Sequence, residues 1–104
     1  MQIQIHTDSN IEGRAELATE FRIVVEDALS RFRDHIIRVE VHLSDENRNK
    51  GGRDDKHCVM DAHLKGRPSI VITDRAATVD QAVDGAASKL KKAIESSLGR
   101  LRDH

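Results

Sequence analysis

The sequence predicts an α+β fold, a two-layer β-α-β-β-β-α sandwich in which a four-stranded sheet carries two helices on one face. Apolar residues recur at a period of about 3.6 in two stretches and at a period of two in four others, and each stretch has a single apolar side. One layer of helices laid on one layer of sheet buries all those sides together. The connections add a third observation. The last three strands follow one another through links too short for crossovers, so an antiparallel meander is expected, while the first strand reaches the sheet through a helix.

Gln2 to His6 alternates polar and apolar, with Ile3 and Ile5 on one side, and reads as a short half-buried strand. Thr7, Asp8, Ser9 and Asn10 can bond their own backbone and form a turn, and Gly13 is a candidate cap with Glu16 three residues on. The first helix follows, with Leu17, Phe21, Val24, Val25, Ala28, Leu29 and Phe32 as its apolar stripe. From Ile36 to Ser44 the period becomes two: Ile37, Val39, Val41 and Leu43 lie on one side, Arg38, Glu40 and His42 on the other. Residues 45 to 56 contain no apolar residue and include Gly51-Gly52, which predicts an exposed hairpin loop. His57 to Lys65 alternates again, with Cys58, Met60, Ala62 and Leu64 inward. Gly66, Arg67 and Pro68 supply a turn, Ser69 to Thr73 is a β-branched strand, and Asp74 to Ala77 leads out of it.

The last helix runs from Thr78 to Arg102, with Val79, Ala82, Val83, Ala86, Leu90, Ile94, Leu98 and Leu101 at steps of three and four. Thr78 with Gln81 three residues later is a capping-box pair, and Asp80 and Asp84 sit near the positive end of the helix dipole. Lys89, Lys91, Lys92, Arg100 and Arg102 gather toward the other end. Those cations either complement the dipole or form a binding surface, and position alone does not separate the two.

At 104 residues the chain suits one domain with a single core. Phe21 and Phe32 are the only Phe, Tyr or Trp residues, so the core must come from Val, Ile, Leu and Ala, and the scarcity argues against platforms for stacking unpaired bases. The net charge of −1 conceals a polarity: residues 1 to 55 carry eight Lys/Arg against twelve Asp/Glu, and residues 56 to 104 carry nine against six. Cys58 is the single cysteine, which excludes an intrachain disulfide and a thiolate metal cluster. Its inward parity makes it a packing residue rather than a nucleophile. The chain opens on MQIQIH without a basic leader or apolar signal region, and no run is long enough to cross a bilayer, so a cytoplasmic protein is expected.

Glu40, His42, His57, Asp61 and His63 share the polar parity of the sheet. Imidazole and carboxylate brought together across a hairpin suit zinc or another divalent ion, but local HxH or HExxH spacing is absent, and a solvated sheet face with cross-strand ion pairs is the simpler reading. Gly85, within the last helix, marks either close packing, close approach of a nucleic acid, or a tolerated surface glycine.

The element order, together with MQIQIHTDSNIE, RVEVHLSDEN, CVMDAHLKG and above all ATVDQAVDGAASKLKKAI, resembles the ribosome hibernation-promoting factors, the family of protein Y and the sigma modulation proteins. The resemblance covers essentially the whole chain. It implies a fold like that of a double-stranded RNA-binding domain and a non-enzymatic cytoplasmic protein without cofactor or metal. Such a protein binds the small ribosomal subunit and its ribosomal RNA, blocks the messenger and transfer RNA channel, and preserves idle ribosomes under stress and in stationary phase. Carried onto this sequence, the RNA contacts fall to Lys89, Lys91 and Lys92, with Arg100 and Arg102 following. Ending at His104, the chain resembles the short form, one ribosome-binding domain over 1–104 without a pairing module and monomeric off the ribosome. The rival reading is a metal- or small-ligand-binding stress protein of the same fold, using the histidine-rich sheet face.

Overall fold

The computed structural model describes residues 1–8, 14–45 and 56–102, apart from the side chains of Arg14, Arg100, Leu101 and Arg102. The candidate cap Gly13 and the tip of the 45–56 loop lie outside the described residues. In chain order the elements are β1 (Gln2–Thr7), α1 (Arg14–Leu29), a 3-10 turn (Ser30–His35), β2 (Ile36–Asp45), β3 (Lys56–Leu64), β4 (Ile70–Ala76) and α2 (Val79–Arg102). This is the predicted order, and the strands lie side by side as β1-β2-β3-β4.

The sheet is mixed. β1 runs parallel to β2, as a strand returning through a helix must when it lands beside its successor, and β2, β3 and β4 form the antiparallel meander. The parallel ladder extends one step beyond β1, where the Asp8 amide donates to the Leu43 carbonyl at 3.1 Å. The Asp8 carboxylate then accepts the Asp45 amide at 3.3 Å and ties off the end of β2.

The core lies between the sheet and the helices. Phe21, Val25 and Leu29 of α1, with Phe32 of the 3-10 turn, pack toward Val39, Val41 and Leu43 of β2 and Cys58, Met60, Ala62 and Leu64 of β3, while Ala82, Val83, Ala86, Ala87, Leu90 and Ile94 come from α2. Each large side chain taken from water contributes about 1.5–3 kcal/mol. β1 and β4, at the edges, add only partly buried residues: Ile3, Ile5, Ile70 and Ile72. Small alanines on α2 let that helix lie close over β3 and β4.

Two departures from simple alternation have visible causes. Ile36, not Ile37, enters the core: Ile36 is 1% exposed and Ile37 51%, because the β2–β3 register slips between Ile36 and Arg38. A bulge there restores the expected parity from Arg38 onward. In β4 the strand continues past Thr73 to Ala76, since β3 is long enough to pair Cys58 with Asp74 and Lys56 with Ala76. Asp74 consequently shares the helix-facing parity of Ile70 and Ile72, the reason a reading by hydropathy stops the strand short of it. Among the described residues, no helix is long and apolar enough to cross a membrane.

Candidate nucleic-acid interface

Helix α2 begins as its sequence predicts. The Thr78 hydroxyl accepts the Gln81 amide at 3.1 Å, and the Thr78 carbonyl accepts the Ala82 amide at 3.0 Å. From this fixed start the 3.6-residue repeat assigns each cation a direction. Lys89 and Lys92, three apart, share one flank, and Lys91, two residues or about 200° from Lys89, takes the opposite one.

Lys89 is engaged. Its ammonium lies 2.8 Å from Asp74 Oδ1, so the flank bearing Lys89 faces β4, and the carboxylate meeting it is mostly covered. Gly85, one turn earlier on the same flank, lies against that carboxylate: a Cβ at Gly85 would overlap Asp74 Oδ2. Of the readings open for this glycine, close packing is the one realised. Lys91 and Lys92 differ from Lys89 in having no ion pair or hydrogen bond among the described residues; Lys92 is exposed and Lys91 half-buried. The helix backbone continues through Arg100 and Arg102, whose side chains lie outside the described residues.

Two further contacts hold the end of α2 in place. Arg67, in the β3–β4 turn, donates through Nη1 to both the Ser97 carbonyl and the Ser97 hydroxyl at 3.0 Å. Arg31, in the 3-10 turn, lies 3.5 Å from Glu95 and stacks over the Phe32 ring at 5.4 Å. Both cations are therefore committed to internal partners, and Glu95 is answered by Arg31. Among the described residues of α2, the lysines left without a partner are Lys91 and Lys92, point charges suited to phosphate oxygens rather than base edges.

The opposite face of the sheet collects titratable groups. His6 of β1 and His42 of β2 stand at paired positions, and their rings stack with centroids 4.7 Å apart and planes 13° apart. Glu40 extends Oε1 to within 3.9 Å of His6 Nε2, while Oε2 accepts from Arg38 Nε at 3.0 Å and lies 3.6 Å from His63 Nε2. His63 also approaches Asp61 Oδ1 at 3.5 Å and shares a 3.1 Å hydrogen bond between Nδ1 and the Ser69 hydroxyl. The hydrogen bond from Arg38 holds the Glu40 carboxyl below its ordinary value of 4.5, against a smaller opposing push from desolvation.

Of the five residues that the sequence assigned to this face, Glu40, His42, Asp61 and His63 come together around Glu40. His57 stands farther along β3, opposite Ser44. His6 belongs to the group and was missed: its parity with Gln2 and Gln4 was legible, but only the parallel pairing of β1 with β2 sets it beside His42. Cys58 is fully enclosed, and burial, with Asp74 adding a smaller push, raises its thiol to about 12. That leaves it a packing residue, as its parity predicts.

The family model for sigma 54 modulation protein / S30EA ribosomal protein matches residues 9–102. No curated protein matches the sequence. Among solved structures, the fold is similar to that of the protein Y N-terminal domain from Thermus thermophilus, with a TM-score of 0.70 at 19% identity over 92% of this chain and 98% of that one. It is similar also to a ribosomal subunit interface protein from Coxiella burnetii, with a TM-score of 0.69 at 19% identity over 95% and 99% of the two chains. These likenesses establish the fold, and the match over nearly the whole sequence establishes the kinship: the chain belongs to the sigma 54 modulation protein / S30EA ribosomal protein family, that of the ribosome hibernation-promoting factors.

Proposed function

We propose that this ribosome-associated chain binds the small ribosomal subunit through the cationic surface of α2, occupies the channel of messenger and transfer RNA, and so keeps idle ribosomes inactive and intact. The family match over residues 9–102 carries the reading. The chemistry of α2 supports it: ammonium groups that are unpaired among the described residues, on a helix held at Thr78 and at Ser97, can contact phosphates without ordering a loop first, and such contacts read charge and shape. The same reading takes 1–104 as one binding domain, non-enzymatic and cytoplasmic, and a monomer off the ribosome. Among the described residues, the large exposed apolar side chains are Ile23 on α1, Ile37 on β2 and Val71 on β4.

Co-sedimentation of the chain with separated small and large subunits, at low and high salt, tests this. Salt-sensitive association with the small subunit is expected, and Lys89, Lys91 and Lys92 changed together to Ala should weaken it while leaving the fold intact. Failure to associate with the small subunit at low salt would overturn the reading, as would undiminished binding by the triple variant.

A further inference from the structure

The open face of the sheet holds a group of side chains that the α2 surface does not use. We propose that His6, Glu40 and His42 form a binding site for a divalent transition-metal ion of the zinc class. One donor atom from each lies within 4.8 Å of the other two. Two imidazoles and one carboxylate are a donor set that zinc and its neighbours favour over magnesium, and three protein ligands leave positions for water.

The backbone preforms the site. The parallel ladder sets His6 opposite His42, and strand alternation sets Glu40 on the same face two residues before His42, so three anchors are fixed by hydrogen-bonded strands. Only side-chain torsions need adjust. The stacked rings must turn out of their parallel arrangement to converge on one ion, and with the His6 side chain 49% exposed, packing does not oppose that rotation. Glu40 is already divided between tasks: Arg38 holds Oε2, which leaves Oε1, the oxygen nearer His6, as the ligand atom.

The pairing of groups on this face argues against a surface that merely balances its own charges. Among the described residues, His42 makes no hydrogen bond or ion pair, and its ring stacks on that of His6. Beside it, His63 Nε2 and Asp61 Oδ1 are enclosed atoms without a hydrogen bond, 3.5 Å from each other. His42 is thus a ligand that the face's own hydrogen bonds and ion pairs leave unused among the described residues. Because ligand imidazoles must be unprotonated, uptake weakens as pH falls.

Titration of the isolated chain with zinc, followed through the histidine side-chain resonances, tests the site without any ribosome and so independently of the proposed function. One equivalent is expected to shift His6 and His42 and leave His35, on the 3-10 turn, in place; magnesium at the same concentration is expected to shift none of them. His42→Ala, His6→Gln and Glu40→Gln should each weaken zinc binding at least about tenfold, a loss already typical when a residue that merely supports a ligand is removed. His35→Ala should bind as the parent does. Unmoved His6 and His42 resonances at about tenfold zinc excess would overturn the proposal, as would equal zinc affinity in the parent, His42→Ala and His6→Gln, with each variant's melting curve confirming that it is folded.

Discussion

At the scale of single residues, Asp74, Gly85 and Lys89 form one unit. An inward-facing carboxylate at the edge of the sheet is tolerated because the helix above it presents a bare Cα at Gly85 and an ammonium at Lys89. Alanine in an open helix position stabilises by about 1 kcal/mol over glycine. That gain is expected to be absent for Gly85→Ala in the parent, where Asp74 must swing away from Lys89, and to reappear in an Asp74→Ala background. A thermodynamic cycle of urea midpoints measures it, and equal effects in both backgrounds would contradict the arrangement. Glu40 gives a pH signature. Its folded carboxyl titrates below 4.5 because of Arg38, so its stabilising contribution is present above that value and is lost as pH falls through the folded value. The stability difference between the parent and Glu40→Gln should therefore be larger near neutral pH than at about pH 3, as read from denaturation at each.

At the scale of elements, β2 shows how one extra residue redistributes a strand. The bulge after Ile36 sends Ile36 into the core under the 3-10 turn and Ile37 into water, while Val39, Val41 and Leu43 keep the side that alternation gives them. Ile36→Ala is expected to cost about 2–5 kcal/mol through the cavity it leaves. Ile37→Thr, which keeps a β-branched side chain, should stay within about 0.5 kcal/mol. Chemical denaturation of the two variants checks the pair, and the reverse order would mean that β2 alternates without a bulge. In α2 the tie at Thr78 and the Arg67 bonds to Ser97 hold the segment between them as one rigid rod. Its free cations are therefore presented at fixed spacing.

At the scale of the molecule, the two-layer architecture separates two chemistries. The helix layer displays Lys91 and Lys92, and the far side of the sheet displays the histidine and carboxylate cluster. If phosphate contact is the role of α2, its three lysines should not contribute equally. Each lost phosphate contact lowers the salt dependence of binding by about one unit of log–log slope. Lys91→Ala with Lys92→Ala is thus expected to lower the slope for the small subunit by about two units. Lys89→Ala, whose ammonium is already held by Asp74, should lower it by less, and sedimentation across a salt series checks the ranking.

The sequence by itself determined the six main elements, the antiparallel meander, the single apolar face of each strand and helix, and the enclosed state of Cys58, because those follow from the period of side-chain direction along a chain. It also determined which cations gather late in α2. Only the tertiary structure decided which cations are spoken for: Lys89 is matched by an Asp74 that sequence reading left in a connection, and Arg31 and Arg67, outside α2, reach Glu95 and Ser97 on it. It decided too that His6 stands against His42, which depends on where β1 inserts in the sheet, and that Ile36 replaces Ile37 in the core, which depends on a register shift. Periodicity is local and reports a direction along one segment, whereas partners are set by the pairing of segments far apart in the chain.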